Sequence, residues 1–382
     1  MPTIVFTGGG TGGHVTPALA LIEALQAKHA HVTCAYVGNG TSLEGTLVPQ
    51  AGVPFSAIRF HGMPRKSLLT LLPWAFELLT AIWVARGHLQ RLSPKLVVGT
   101  GGYVSAPVLL AAKSLGIPFL IHEPDAHPGL VNRLMSRWAV QITGAFEAAR
   151  TFWPNRPFTA TGNPLRGTSS HPPLTKPEAI QALGLDWDPA WPVLVITGGS
   201  QGAKSLNKAV RDALAQWLSK TPFGAESTPI AILHQTGAKD LAEHEAALLA
   251  NPLLAALLPH GRYHHQAFFE NMTPVWTIAH AVVARAGSLT LSELTQVGCP
   301  AVLVPYPHAA ADHQTHNAQA LVDAGAAVLL PDASLTGETL TQALTPLLTQ
   351  APVHQAMHQA SKALGKPRAT SDILAQILTI LR

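Results

Sequence analysis

His14 ends the run Thr7-Gly8-Gly9-Gly10-Thr11-Gly12-Gly13, which follows the apolar stretch Thr3-Ile4-Val5-Phe6. Glycines let a ligand approach the backbone because no Cβ stands in the way. A helix start behind such a turn points N–H groups outward and adds a positive dipole end, so the stretch suits an anion. An imidazole beside an anion site can take or give a proton near neutral pH. A second cluster of titratable groups is His122-Glu123-Pro124-Asp125-Ala126-His127-Pro128-Gly129. Its prolines break the helical i, i+4 spacing of a metal-ligand pair, so acid–base or hydroxyl-binding work is expected there. The candidates for a general base are therefore His14, Glu123 and Asp125. His14 is preferred, because an unperturbed imidazole titrates closest to neutrality.

These groups need strands and helices to place them. Thr3–Phe6, His31–Val37, Lys95–Gly99 and Ile117–Ile121 read as strands. Val15–Leu25 reads as a helix, with Pro17 tolerated in its first turn. Gly8-x-Gly10-x-x-Gly13 formally matches a dinucleotide fingerprint. The next strand, however, runs into Gly38-Asn39-Gly40 without the acid that would hold a ribose, so no nicotinamide or flavin is expected. The pattern then restarts: Val193–Thr197 enters Gly198-Gly199-Ser200-Gln201-Gly202-Ala203-Lys204-Ser205, and Ala281–Glu293 mirrors the turn at Gly99. Such a repeat implies an α/β chain of two doubly wound, Rossmann-like domains facing a cleft. Gly198–Ser205 fails as a triphosphate loop because Ala203 replaces its second glycine. The Pro- and Ser-rich stretch 167–192 marks a boundary, and its Asp186-Trp187-Asp188 reads as solvated linker.

The 382 residues are 47% hydrophobic and only 12% charged, which excludes a disordered chain. A net charge of +4 permits an acidic partner without demanding one, and nothing points to nucleic acid. Cys34 and Cys299 form no disulfide framework or metal spacing, which fits a reducing compartment. The first strand begins at once, so no signal peptide is expected. Arg65–Arg86 approaches the length of a membrane span, but Pro73, Glu77 and several hydroxyl residues disfavour crossing. The segment is expected to lie on a bilayer, with Trp74, Leu78 and Trp83 in contact with lipid. Arg65, Lys66 and Arg86 would then sit near anionic headgroups.

GGTGGH at Gly9–His14, GGYVSAP at Gly101–Pro107, HEPDAHPGLVNR at His122–Arg133 and TGNPLR at Thr161–Arg166 occur in order. GGSQGAKSLN at Gly198–Asn207, RAGSLTLSE at Arg285–Glu293 and VPYPHAAADHQTHNA at Val304–Ala318 follow. In these motifs the chain resembles the MurG-type N-acetylglucosaminyltransferases of bacterial peptidoglycan synthesis. The resemblance implies a GT-B fold, with an acceptor- and membrane-binding domain at 1–164 and a UDP-sugar-binding domain at 165–365. A last helix at about 366–382 would cross back to the first domain. The implied reaction moves N-acetylglucosamine from UDP-N-acetylglucosamine to the C4 hydroxyl of undecaprenyl-pyrophosphoryl-N-acetylmuramyl-pentapeptide, with inversion, on the cytoplasmic face of the membrane. Other cell-wall synthesis proteins are conceivable partners.

The same resemblance implies substrate contacts at Thr11, Gly12, Gly13, Asp125, Arg166, Ser200, Ser288, Leu289, Thr290, Leu291, Ser292, Glu293 and Gln314. Glu293 would hold the ribose and Phe269 would lie near the uracil. Gly9, Gly10, Gly102, Tyr103 and Asn132 would surround the acceptor and its diphosphate. Asp125 departs from the family pattern, which commonly has Asn there. No metal or other cofactor is implied; glycine-turn N–H groups, a helix start and Arg166 would meet the charge of departing UDP. Another GT-B enzyme, either a lipid glycosyltransferase or a UDP-sugar epimerase, and a non-enzymatic UDP-sugar-binding membrane protein are the alternatives. Toward the C-terminus, Thr336–Gln350 reads as a helix and Ser371–Leu378 as another, capped by Ser371.

Overall fold

The computed structural model describes residues 1–64, 71–166, 174–219 and 229–382. Arg65 and Lys66, expected near headgroups, lie outside the described residues, as does part of the boundary stretch. The chain divides into two units, Met1–Ser170 with Lys366–Arg382, and His171–Gly365.

The first unit is built on seven parallel strands: β1 (Thr3–Thr7), β2 (Thr33–Asn39), β3 (Phe55–Ile58), β4 (Leu96–Gly99), β5 (Phe119–Glu123), β6 (Gln141–Gly144) and β7 (Phe158–Ala160). Their spatial order is β3-β2-β1-β4-β5-β6-β7. Strand order therefore reverses between β1 and β4, where open α/β sheets leave a crevice at the strands' carboxyl ends. Alternation along β1 divides the core. Ile4 and Phe6 face the helix Gly12–Lys28, while Val5 joins Val97, Leu109 and Ile121 on the other side. Ile373, Leu374 and Ile377 of the helix Ala369–Ile380 pack into the Ile4 and Phe6 cluster. That helix starts at Ala369, so Ser371 lies inside it, and its hydroxyl donates to the Arg368 carbonyl instead of capping.

The helix behind the first glycine turn begins at Gly12, earlier than hydrophobic periodicity suggests. Pro17 thus stands beyond the first turn and cannot donate to the Gly13 carbonyl. The long apolar segment forms the helix Leu71–Leu92, which buries only the small face Ala81, Ala85 and Leu89. Among the described residues, no helix is long and apolar enough to cross a membrane.

The second unit repeats the plan with six parallel strands: β8 (Val193–Thr197), β9 (Ala231–Gln235), β10 (Tyr263–Gln266), β11 (Ala279–Ala284), β12 (Ala301–Leu303) and β13 (Ala327–Leu329). The order is β10-β9-β8-β11-β12-β13, and it reverses at β8 and β11 as the first sheet does at β1 and β4. Leu194 and Ile196 pack on the helix Lys204–Trp217, whose Trp217 is fully buried and donates its indole N–H to Thr341. Gly337–Thr349 is a helix with Thr336 as its cap. Trp187 is buried and donates to the Gly261 carbonyl at 2.6 Å, so Asp186–Asp188 is anchored chain and not free linker.

Candidate active site

The carboxyl ends of β1, β4 and β5 bring the first group of site residues together. The Gly9 N–H donates to the Gly101 carbonyl (3.2 Å), joining the turn after β1 to the turn after β4. Gly102 has φ +81°, and any Cβ there would overlap the Gly9 carbonyl, so the close approach of these turns requires glycine. His14 lies against Gly101 and Gly102, and its Nδ1 is 3.1 Å from the Thr100 carbonyl. A carbonyl only accepts, so Nδ1 carries the proton and the neutral ring is the tautomer whose Nε2 is basic. Tyr103 packs on Phe60 and against Gly10, and its hydroxyl lies 3.4 Å from that of Ser42.

The front of the glycine turn is occupied from within. The Tyr36 hydroxyl donates to the Gly8 carbonyl (2.6 Å), and the Gly10 N–H donates to the Glu44 carboxylate (3.1 Å). Gly9 and Gly10 therefore do not present their N–H groups to a substrate diphosphate. At the start of the helix Gly12–Lys28, Thr11 makes no side-chain capping bond, so the first backbone N–H groups keep the anion-attracting character of a helix N-terminus.

Glu123 is turned inward. Its carboxylate accepts from the Asp125 N–H (2.9 Å), the Gly129 N–H (3.1 Å) and the Asn132 amide (2.8 Å). Burial, and then the charge of Asp125, pushes its carboxyl well above the usual range. It shapes the loop that carries Asp125 and has no free oxygen face for an acceptor hydroxyl. Asn132 also donates to the His122 carbonyl (3.3 Å), while its buried Oδ1 has no hydrogen-bond partner among the described residues. His122 is fully buried between Thr143 (3.0 Å) and Asn163 (2.9 Å), and burial lowers its pKa to about 4. It is a neutral strut between β5 and the Thr161–Arg166 loop.

In the second unit the site residues gather at the ends of β8, β9, β11 and β12. Gln235, which motif reading missed, accepts from the Phe269 N–H (2.9 Å) and donates to Thr197 (3.0 Å) and the Gly199 carbonyl (3.1 Å). It fixes the turn that carries the exposed Ser200. The helix Ser288–Val297 starts at Gly287 with no side-chain cap, leaving first-turn donors at Ser288–Thr290. Glu293, mostly buried, accepts from the Trp276 indole (3.1 Å), and burial raises its pKa to about 7. Arg285 donates to Asp332 (2.6 Å), Ser205 (2.9 Å) and the carbonyls of Val304 (3.2 Å) and Pro305 (3.0 Å), tying four loops together. Among the described residues, no cluster of three or more His, Cys, Asp or Glu is placed to hold a metal.

Residues 4–143 match the N-terminal domain of glycosyltransferase family 28, and residues 193–373 its C-terminal domain. The UDP-N-acetylglucosamine–N-acetylmuramyl-(pentapeptide) pyrophosphoryl-undecaprenol N-acetylglucosamine transferase of Desulforamulus reducens is 38% identical, covering 99% of this chain and 98% of its own. The same-named protein of Desulforudis audaxviator is 39% identical over 97% of this chain and 96% of its own. The crystal structure of Acinetobacter baumannii MurG aligns with a TM-score of 0.77 at 29% identity, covering 99% of this chain and 100% of that one. This chain belongs to the MurG family. A UDP-N-acetylglucosamine 2-epimerase from Neisseria meningitidis, at 15% identity and a TM-score of 0.65 over 99% of this chain and 100% of its own, shares the fold alone.

Several residues implied by MurG motifs stand differently from the expectation. Leu291 is fully buried and belongs to the core. The Phe269 ring is buried too, whereas neighbouring Phe268 offers a half-exposed ring. Gln314 accepts from the Tyr306 N–H (2.9 Å) and so shapes the loop after β12. Ser292 donates to the Ser288 carbonyl (2.9 Å) within its helix. Arg166 is ion-paired with Glu23 on the helix Gly12–Lys28, in the first unit. On the expected membrane helix, Trp74 packs against Phe60 and donates to the His61 carbonyl (3.0 Å), and Leu78 is partly buried. The exposed row is instead Leu72 (81%), Phe76 (70%), Leu79 (64%) and Trp83 (77%).

Proposed function

We propose that the chain transfers N-acetylglucosamine from UDP-N-acetylglucosamine to the C4 hydroxyl of undecaprenyl-pyrophosphoryl-N-acetylmuramyl-pentapeptide, with inversion, in peptidoglycan synthesis. Near-full-length kinship with transferases of that name carries this reading. His14 is the base: the Thr100 carbonyl holds Nδ1–H, so Nε2 takes the proton of the acceptor hydroxyl. The freed oxygen attacks the anomeric carbon as its bond to UDP breaks, and UDP leaves with the electron pair. Backbone donors at Ser288–Thr290 meet the charge of the departing diphosphate, each preorganised donor contributing up to roughly 3–4 kcal/mol, and those at Gly12–Gly13 take the acceptor's own diphosphate. Glu293 holds the ribose hydroxyls and Asp125 orients the acceptor. In this reading the chemistry needs no metal.

Peripheral attachment to the cytoplasmic face of the cell membrane is part of the same reading. Leu72, Phe76, Leu79 and Trp83 follow i, i+4, i+7, i+11 spacing, so they line one side of their helix. Arg86 bonds Ser114, and adjacent Lys113 lies over the Trp138 ring at 3.3 Å, placing basic groups near exposed aromatic surface.

The deciding assay supplies labelled UDP-N-acetylglucosamine and the lipid-linked acceptor in the presence of a chelator. Labelled disaccharide lipid, with UDP release dependent on acceptor, is the expected result. An epimerised sugar nucleotide, or UDP release without acceptor, overturns the transfer reading. Loss of transfer in chelator overturns metal independence alone.

A further inference from the structure

Glu44 is fully buried, and among the described residues no Lys, Arg or His pairs with it. Its oxygens accept from the backbone N–H groups of Gly10 (3.1 Å) and Asn39 (3.2 Å). The chain makes room for it: a Cβ on Gly9 would overlap the carboxylate, and one on Gly38 would press on Glu44 Cγ. Buried Tyr36 feels its charge, which adds to burial in raising the phenol pKa. A buried carboxylate with only N–H partners is tolerated where those donors stabilise the charged form. Here they come from the turn after β1 and from the end of β2.

We propose that Glu44 is a positioning residue for the glycine turn and an internal anion that closes the turn's β2 side. An incoming diphosphate then engages only the start of the helix Gly12–Lys28. Of the three glycines in front, Gly8 is held by Tyr36, Gly9 by Gly101 and Gly10 by Glu44. A second negative charge beside Gly10 would meet both an occupied donor and like-charge repulsion. The same placement explains why a dinucleotide fingerprint here serves no dinucleotide. No acid stands at the end of β2 to meet a ribose, and Glu44, five residues further on, turns back under the glycine turn.

The kinetic part of this proposal rests on the transfer reading; the anion-binding part does not. Inorganic pyrophosphate is therefore titrated directly into wild type, E44Q and E44D, with thermal melting to establish folding. E44Q removes the charge, and its pyrophosphate Kd is expected to fall about 10-fold. E44D keeps the charge, and its pyrophosphate Kd is expected to stay at the wild-type value. Both variants are expected to lose kcat about 10- to 100-fold with an unchanged KM for UDP-N-acetylglucosamine, because the turn shifts while the donor site does not. Wild-type kcat in E44D or E44Q overturns the positioning role. Unchanged pyrophosphate affinity in a folded E44Q, or tightened affinity in E44D, overturns the anion-closing role. If E44Q does not fold, the E44D titration and kinetics still decide.

Discussion

His14 and Thr100 clasp each other twice: imidazole Nδ1–H donates to the Thr100 carbonyl at 3.1 Å, and the Thr100 hydroxyl donates to the His14 carbonyl at 2.6 Å. The ring's tautomer and the first turn of its helix are thereby set by one residue at the end of β4. Replacing His14 by Gln should lower kcat about 10²–10⁴-fold with little change in the acceptor KM. Acceptor-dependent UDP release measures it. Retained kcat with a raised KM would reassign the base to Asp125.

Glu293 gives donor binding a pH dependence. Its carboxyl titrates at about 7, and in the proposed donor pose ribose hydroxyls donate to the ionised form, so below pH 7 binding must first expel a proton. UDP affinity should fall about 10-fold per pH unit below 7 and level off above it. In E293Q the affinity should be weaker and flat with pH by calorimetric titration. Stability moves the opposite way. A carboxyl raised from 4.5 to about 7 in the fold makes folding less favourable as pH rises through that window. The melting temperature of E293Q relative to wild type should therefore rise between pH 5 and about 8.

Removing Asp332 strands Arg285, which is 9% exposed, without its counter-ion. D332A should cost about 3–5 kcal/mol of stability in chemical denaturation, since a buried charge is left uncompensated. The loops after β8, β11 and β12 would loosen together, so the UDP-N-acetylglucosamine KM should rise more than kcat falls. A melt unchanged from wild type would refute this account of the network.

The exposed row on the helix Leu71–Leu92 predicts lipid binding. Fully burying a large apolar side chain is worth about 1.5–3 kcal/mol. Replacing both Phe76 and Trp83 by Ser should then weaken binding to anionic vesicles at least about 10-fold. Transfer to a short-chain, water-soluble acceptor should remain. Flotation with vesicles, where wild type stays at the bottom, would remove the membrane reading.

Strand, glycine turn and helix were legible at Gly8–Gly13 and again at Gly198–Gly202 because apolar runs and glycines are local signals. The phase of the membrane helix was not. Trp74 turns inward to Phe60 and Ala81 faces the core, a choice made by packing partners that periodicity does not contain. Glu44 carries no local signal, because it sits beyond the strand end and only the path of residues 39–44 brings it back beneath Gly10. Arg285 lies within a legible motif, yet its work depends on Asp332 and on carbonyls of the loop after β12. Glu123 looked like a catalytic acid by type and place. Three donors from its own loop make it a scaffold.

The helix Ala369–Ile380 sets a schedule for biosynthesis. Ile373, Leu374 and Ile377 close the cluster around Ile4, Leu19 and Leu25, and along the chain they come only after the whole of the second unit. At about 5–20 residues per second, the first-made sheet waits on the order of ten seconds or more with that face uncovered while 171–365 emerge. The unit encoded in the middle can finish folding first, and the one encoded first finishes last. Until then Leu21, Ile22 and Leu25 lack the cover that Ile373, Leu374 and Ile377 bring to their cluster.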